Sequence, residues 1–308
     1  MKVKYLIPYS LLIIAFFSCK EEEEVEYQNN TCKQNPAFIV KFGYKPAFSY
    51  LSTSDEHTMG LVLVESSQAG NVTAPVNKQM QHPSWTAGGW LAPILISSAG
   101  DIYTSPAPFI NILYNPISNN NTIYKVDANT GIMDIFYKLP DADSINSENP
   151  FGIIGMALLC ETNTLYVSSL AGSIRHKENG RIYAIDLSSR KIIDQLNNID
   201  ALGMGISYIT GKRKLYFGTG RNSDVMEIIL NKKGAFSGKP ALAFTLADLG
   251  DRGDDKVKKI RTDERGNLLI NAMEFNYNLI PQREKRVNTY LFTWDEDQKK
   301  WLLSKTGY

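Results

Sequence analysis

Histidine is scarce in this 308-residue chain, with His57, His82 and His176 its only three. A general base of that kind therefore has few candidates. There is no GxSxG nucleophile elbow, no HExxH pair, no CxxC pair and no glycine-rich phosphate loop, which removes the usual signatures of serine hydrolases, zinc peptidases, zinc ribbons and P-loop enzymes. An excess of either charge is missing too: 33 Lys and Arg face 32 Asp and Glu. Nucleic-acid recognition would need a concentrated basic stripe, and none stands out. No stretch after Phe17 carries a convincing 3.6-residue apolar period, so helices are not expected to build the core. Nor does any apolar run reach the roughly 20 residues of a membrane-spanning helix.

What is present begins at the N-terminus. MKVKYLIPYSLLIIAFFS places two lysines before an apolar run from Tyr5 to Phe17 and ends on small Ser18, the layout of an export signal over residues 1–18. Ser18 followed by Cys19 resembles the cleavage and acylation site of bacterial lipoproteins. The resemblance implies a diacylglyceride thioether on Cys19 and a membrane anchored without a helix, each buried methylene contributing about 0.8 kcal/mol. Lys20, Glu21, Glu22, Glu23 and Glu24 are similar to the short acidic tag that sends some lipoproteins to the outer face of the outer membrane. Residues 19–35 then read as a lipidated, solvated tether, and outer-membrane localisation is the expectation, with surface exposure if the acidic run acts as that tag. Two cysteines remain: Cys32, in polar NNTCKQNP, and Cys160, closing the strand-like IIGMALLC. Cys160 is expected to pack as a small apolar side chain rather than to pair with Cys32.

Residues 36–308 repeat one layout. An apolar strand, a tight polar turn and a second strand recur at 91–105, 155–169, 203–219 and 257–272. A second hairpin follows each, at 121–139, 180–196, 224–246 and 288–304. Gly, Asn, Asp and Ser fill the turns, residues that accept left-handed or side-chain-capped backbone. Residues 36–81 follow more weakly as FIVKFG, FSYLSTS, MGLVLVE and PVNKQMQ. Tyr50, Tyr103, Tyr166, Tyr216 and Leu269 mark equivalent second strands at intervals of 53, 63, 50 and 53. The expected fold is all-β: a β-propeller of four-stranded antiparallel blades, five in number, or six if 82–100 or a loop hides another. LYVSS followed by GRIYAIDLSSR resembles the propellers of the NHL, quinoprotein-like and regucalcin-like lactonase groups.

Excess loop length falls on one face, in 105–120, 170–180 and 274–286 within blades and in 82–90, 140–151 and 247–256 between them. Long loops on a rigid scaffold are where binding concentrates. Trp85, Trp90, Phe109 and Tyr114 suit stacking on a sugar or clamping a peptide. Arg175, His176, Arg221 and Asn222 suit an anionic or carbonyl-bearing ligand near the channel mouth. Asp248, Asp251, Asp254 and Asp255 in ADLGDRGDDK offer oxygen ligands to a calcium ion, although their order departs from the EF-hand loop.

The regucalcin-like resemblance implies a metal-dependent lactonase, its metal held by a glutamate, asparagines and an aspartate. Here Phe151 of NPFG stands where a ligand asparagine is expected, and ALGMG (201–205) offers no carboxylate for the catalytic aspartate. The expectation is therefore a lipid-anchored propeller without catalysis of its own, binding a protein, peptide or glycan partner. A lactonase or other hydrolase with an atypical channel site is the alternative, with calcium as its cofactor.

Overall fold

A computed structural model describes residues 32, 34–53, 58–107, 115–140, 151–277 and 286–307. Polar side chains at the strand ends set its hairpins. Asp127 accepts the amides of Asn129 and Thr130 at 3.0 and 2.9 Å, Asn231 those of Lys233 and Ala235, and Asp295 that of Gln298. Asp186 does the same for Ser189. These four residues occupy equivalent places after the third strand of successive repeats, so the same cap turns the chain four times.

The strands form five antiparallel meanders in chain order. The first contains β1 (Ser49–Ser52), β2 (Val62–Ser66) and β3 (Val76–Met80), three strands among the described residues. The second runs β4 (Leu95–Ile96), β5 (Ile102–Thr104), β6 (Thr122–Val126) and β7 (Met133–Lys138). The third comprises β8 (Ile153–Leu159), β9 (Thr164–Ser169), β10 (Arg181–Asp186) and β11 (Lys191–Asn197). β12 (Ala201–Ser207), β13 (Lys214–Thr219), β14 (Asp224–Leu230) and β15 (Phe236–Thr245) make the fourth. β16 (Lys256–Thr262), β17 (Leu268–Met273), β18 (Asn288–Asp295) and β19 (Lys300–Gly307) make the fifth. The molecule is a five-blade β-propeller. Residues 82–100 hold a short 3-10 turn at Pro83–Thr86 and β4, and no sixth sheet occurs among the described residues.

Apolar faces bury one another between blades. Leu61 and Leu63 pack with Ile102, Tyr124 and Val126 from the first blade to the second. Tyr103 and Phe136 meet Met156, Val167 and Tyr183 of the third. Ala157, Tyr166 and Ile182 meet Met204, Ile206 and Phe217 of the fourth, and Tyr216 and Val225 meet Val257, Ile270 and Phe292 of the fifth. Full burial of each such side chain stabilises by about 1.5–3 kcal/mol. The innermost strands approach backbone to backbone, which glycine permits: a Cβ on Gly203 would lie 2.6 Å from the Lys258 carbonyl carbon, and one on Gly155 would strike the Leu202 carbonyl.

Two expectations are corrected. FIVK is a one-turn helix, α1 (Phe38–Lys41), not a strand. Phe38 and Ile39 are both buried and Val40 points outward at 62% exposure, a helical rather than alternating pattern. Cys32 and Cys160 are paired as a disulfide with Cα atoms 5.7 Å apart, although the partly buried Cys160 also packs on the apolar cluster of blades two and three.

Candidate functional site at the long-loop end

The turns β8–β9, β10–β11 and their equivalents gather at one end of the blades, and the links β9–β10, β11–β12 and β13–β14 at the other. At this second end, Phe151, just before β8, is 1% exposed and packs with Leu170 and Leu202. Ile154 and Phe275 lie half-buried against them. The Phe151 and Phe275 rings stand 5.6 Å apart, and Phe275 meets Tyr277 edge-on at 5.1 Å. A buried apolar cluster, with Ile154 and Phe275 as its partly exposed rim, thus lies where three blades converge.

Beside it sits one fully buried carboxylate, Asp200, immediately before β12. Its Oδ1 accepts the Gly180 amide at 2.9 Å and the Ser173 hydroxyl. Its Oδ2 accepts the Tyr277 hydroxyl at 2.6 Å and pairs with the Arg221 guanidinium at 2.6 Å. A buried charge persists only when paired and hydrogen-bonded in this way. The Asp200 amide donates to Glu178 at 2.8 Å, and Arg221 stacks 4.6 Å over the Tyr277 ring while donating to the Arg175 carbonyl at 2.7 Å. Burial first, then the bond to Asp200, raises the Tyr277 pKa above the ordinary phenol value. Tyr277 is therefore a neutral donor. With the oxygens of Asp200 holding three hydrogen-bond donors and one guanidinium, the cluster cross-links three blades.

Of the residues anticipated from sequence, Arg221 joins this network, and Arg175 and His176 are exposed on the adjoining loop. Asn222 closes its own turn, its side chain bonded to Asp224 at 2.7 Å. Trp85 is elsewhere: it is fully buried, its indole donates 2.7 Å to the Gly131 carbonyl in the β6–β7 turn, and it packs against Phe38 at the hairpin end. Trp90 is partly exposed, and Asn115 clamps its backbone amide and carbonyl at 2.7 and 2.9 Å. Phe109 and Tyr114 lie outside the described residues, as do Cys19, Lys20 and Glu21 to Glu24.

The four aspartates of 247–256 do not converge. Asp248 adopts φ +66° and donates its amide to Gly253, Asp251 meets Arg286 at 3.4 Å, and Asp254 meets Arg252 at 3.9 Å. Asp255 is buried and accepts from Asn288 and Tyr290 at 2.8 and 2.7 Å. Among the described residues, no three His, Cys, Asp or Glu side chains converge as metal ligands.

Ser173, Asp200, Tyr277 and Phe275 were not singled out from sequence, and Phe151 was noted there only as standing where a ligand asparagine is expected. One signal was there: Asp200 and Asp255 both directly precede an innermost strand, and each receives a tyrosine hydroxyl.

No family model matches the chain, and no curated protein does. Solved propellers resemble it in fold. The Dos1 propeller is 13% identical with a TM-score of 0.43 over 80% of this chain, which spans 54% of that one's length. A calcium-binding regucalcin from Agrobacterium tumefaciens is 12% identical, TM-score 0.43, covering 77% of each chain. A putative 6-phosphogluconolactonase from Bacteroides uniformis is 11% identical, TM-score 0.48, over 84% of this chain and 67% of that one. At such distances the likeness concerns architecture alone.

Proposed function

We propose that the protein is an exported, lipid-anchored propeller that holds a protein, peptide or glycan partner at its long-loop end and performs no catalysis itself. One observation carries this reading: partly exposed Phe275 and Ile154 cap a buried apolar cluster of Phe151, Leu170 and Leu202 at the long-loop end, beside a carboxylate, Asp200, whose oxygens are held by Ser173, Gly180, Tyr277 and Arg221. Apolar and aromatic surface with a few placed polar groups is the ordinary chemistry of recognition. Exposed Arg175 and His176 border the rim and favour a partner with carbonyl or anionic groups. Anchoring rests on the sequence around Cys19, and no helix among the described residues is long and apolar enough to cross a membrane.

The test is calorimetric titration of the purified protein with a panel of neutral and acidic oligosaccharides and peptides. A hit should weaken at least tenfold in Phe275→Ala, because a desolvated aromatic anchor contributes on the order of 2 kcal/mol. Hits insensitive to Phe275→Ala and to Arg175→Ala would remove the long-loop end as the binding face. Anchoring has its own readout: mass spectrometry of the mature N-terminal peptide should find acylated Cys19, and protease shaving of intact cells should release the domain if it is displayed outside.

A further inference from the structure

The end opposite the rim carries its own pattern. Three anchor points bring the N-terminal segment there. Cys32 is bonded to Cys160 in the β8–β9 turn. Residues Asn35 and Pro36 pass Gly100 in the β4–β5 turn, and the Phe38 amide donates 2.9 Å to Ala128 in the β6–β7 turn. The chain therefore enters the propeller across its hairpin turns. Next to the Cys32 anchor, the turns of blades three and four expose Arg190, Lys191, Lys212, Lys232 and Lys233.

The acids nearby are engaged. Glu161 pairs with buried Arg213, and Asp186 caps its own turn on Ser189. The exposed acids Asp263, Glu264, Glu296 and Asp297 belong to the turns of blade five. Blades three and four thus present an excess of exposed cations, five against the carboxylates of Asp186 and Asp194, around the point where the N-terminal segment attaches.

We infer that the hairpin-turn end of blades three and four docks on an anionic lipid bilayer, turning the long-loop rim away from the membrane. The orientation rests on the anchored reading above; the docking does not. Cys19 lies thirteen residues before Cys32, a reach of at most about 45 Å at roughly 3.5 Å per residue. A seven-residue strand such as β8 is already about 23 Å tall at ~3.3 Å per residue. Bringing the far end to the bilayer would use about half of that reach before any loop is crossed, whereas the hairpin end arrives with the tether slack. Basic side chains close to an anionic surface add attraction that a lipid chain then makes durable.

The experiment uses the full chain carrying Cys19→Ser, so that no acyl chain contributes, in sedimentation with vesicles of phosphatidylcholine alone or with phosphatidylglycerol. Phosphatidylcholine binding sets the baseline for the apolar leader. Phosphatidylglycerol should raise binding, and Lys212→Gln, Lys232→Gln, Lys233→Gln together should weaken that increment about a hundredfold, near fivefold per lysine. The matched blade-five set Lys256→Gln, Lys258→Gln, Lys305→Gln should leave it unchanged. Equal binding to both vesicles, or an increment that follows blade five instead, overturns the inference. Because acylation is absent throughout, a negative result here leaves the mass of Cys19 to decide the anchor separately.

Discussion

Asp200 shows how much of the long-loop end depends on a single side chain. It joins the β9–β10 link through Ser173 and Gly180, the β13–β14 link through Arg221 and the segment after β17 through Tyr277. Removing one partner of a buried, hydrogen-bonded charge pair costs about 3–5 kcal/mol. Asp200→Ala should therefore lower Tm by about 10 °C, at roughly 2–4 °C per kcal/mol for a domain of this size. A differential scan showing no shift would mean the network is not holding the blades. The same site gives an alkaline prediction. The Tyr277 pKa is raised in the folded state by burial and by Asp200, so its contribution is complete below the unfolded value near 10 and is lost as pH rises above it. Tyr277→Phe should be less stable than the parent at pH 8, and the gap should narrow above pH 10. Denaturant midpoints across that range would check it.

Among the elements, the turns were the most legible. Asp127, Asp186, Asn231 and Asp295 close apolar strands, and each caps its hairpin by a local bond that needs no distant partner. α1 was not legible: Phe, Ile and Val in a run favour strand locally, and the pull of Trp85 and Gly131 on Phe38 is a tertiary effect. The disulfide was hidden for the same reason, since its cysteines are 128 residues apart and only the fold brings them together. Closing so long a loop should contribute about 2–5 kcal/mol. Cys160→Ser should lower the denaturant midpoint accordingly, and a reductant should reproduce the effect in the parent. The turn aspartates supply an acid counterpart. The pKa of Asp127 is lowered chiefly by the Thr130 amide, and that of Asp186 by the Ser189 hydroxyl and then its amide. Their stabilisation is present above the unfolded value near 3.9 and is lost as pH falls through the lower folded values. Both groups are mostly exposed, so the loss should be small, and Asp127→Asn with Asp186→Asn should make the acid limb of a Tm profile shallower.

For the whole molecule, the blade number followed from the spacing of second strands, because a repeat that buries its faces on its neighbours must recur at near-constant length. Which end of the propeller carries the candidate site is less directly written. Loop length pointed to the end where Phe151, Phe275 and Asp200 meet, but those residues come from blades three to five and no local motif links them. The aspartate run in 247–256 looked like a ligand set by proximity, yet the side chains of Asp251, Asp254 and Asp255 turn to Arg286, Arg252 and the Asn288–Tyr290 pair instead. The blades also differ: β17 and β18 bury one alternating face against blade four and leave the other partly open, so the last blade tolerates polar substitution on that side better than blade three, whose β9 is buried throughout. The role proposed for the molecule is recognition without turnover. Metal analysis of the purified protein followed by a lactone and glycoside substrate panel is the most direct measurement. It should give no hydrolysis above background whether or not calcium is added, whereas stoichiometric calcium with turnover abolished by a chelator would contradict it.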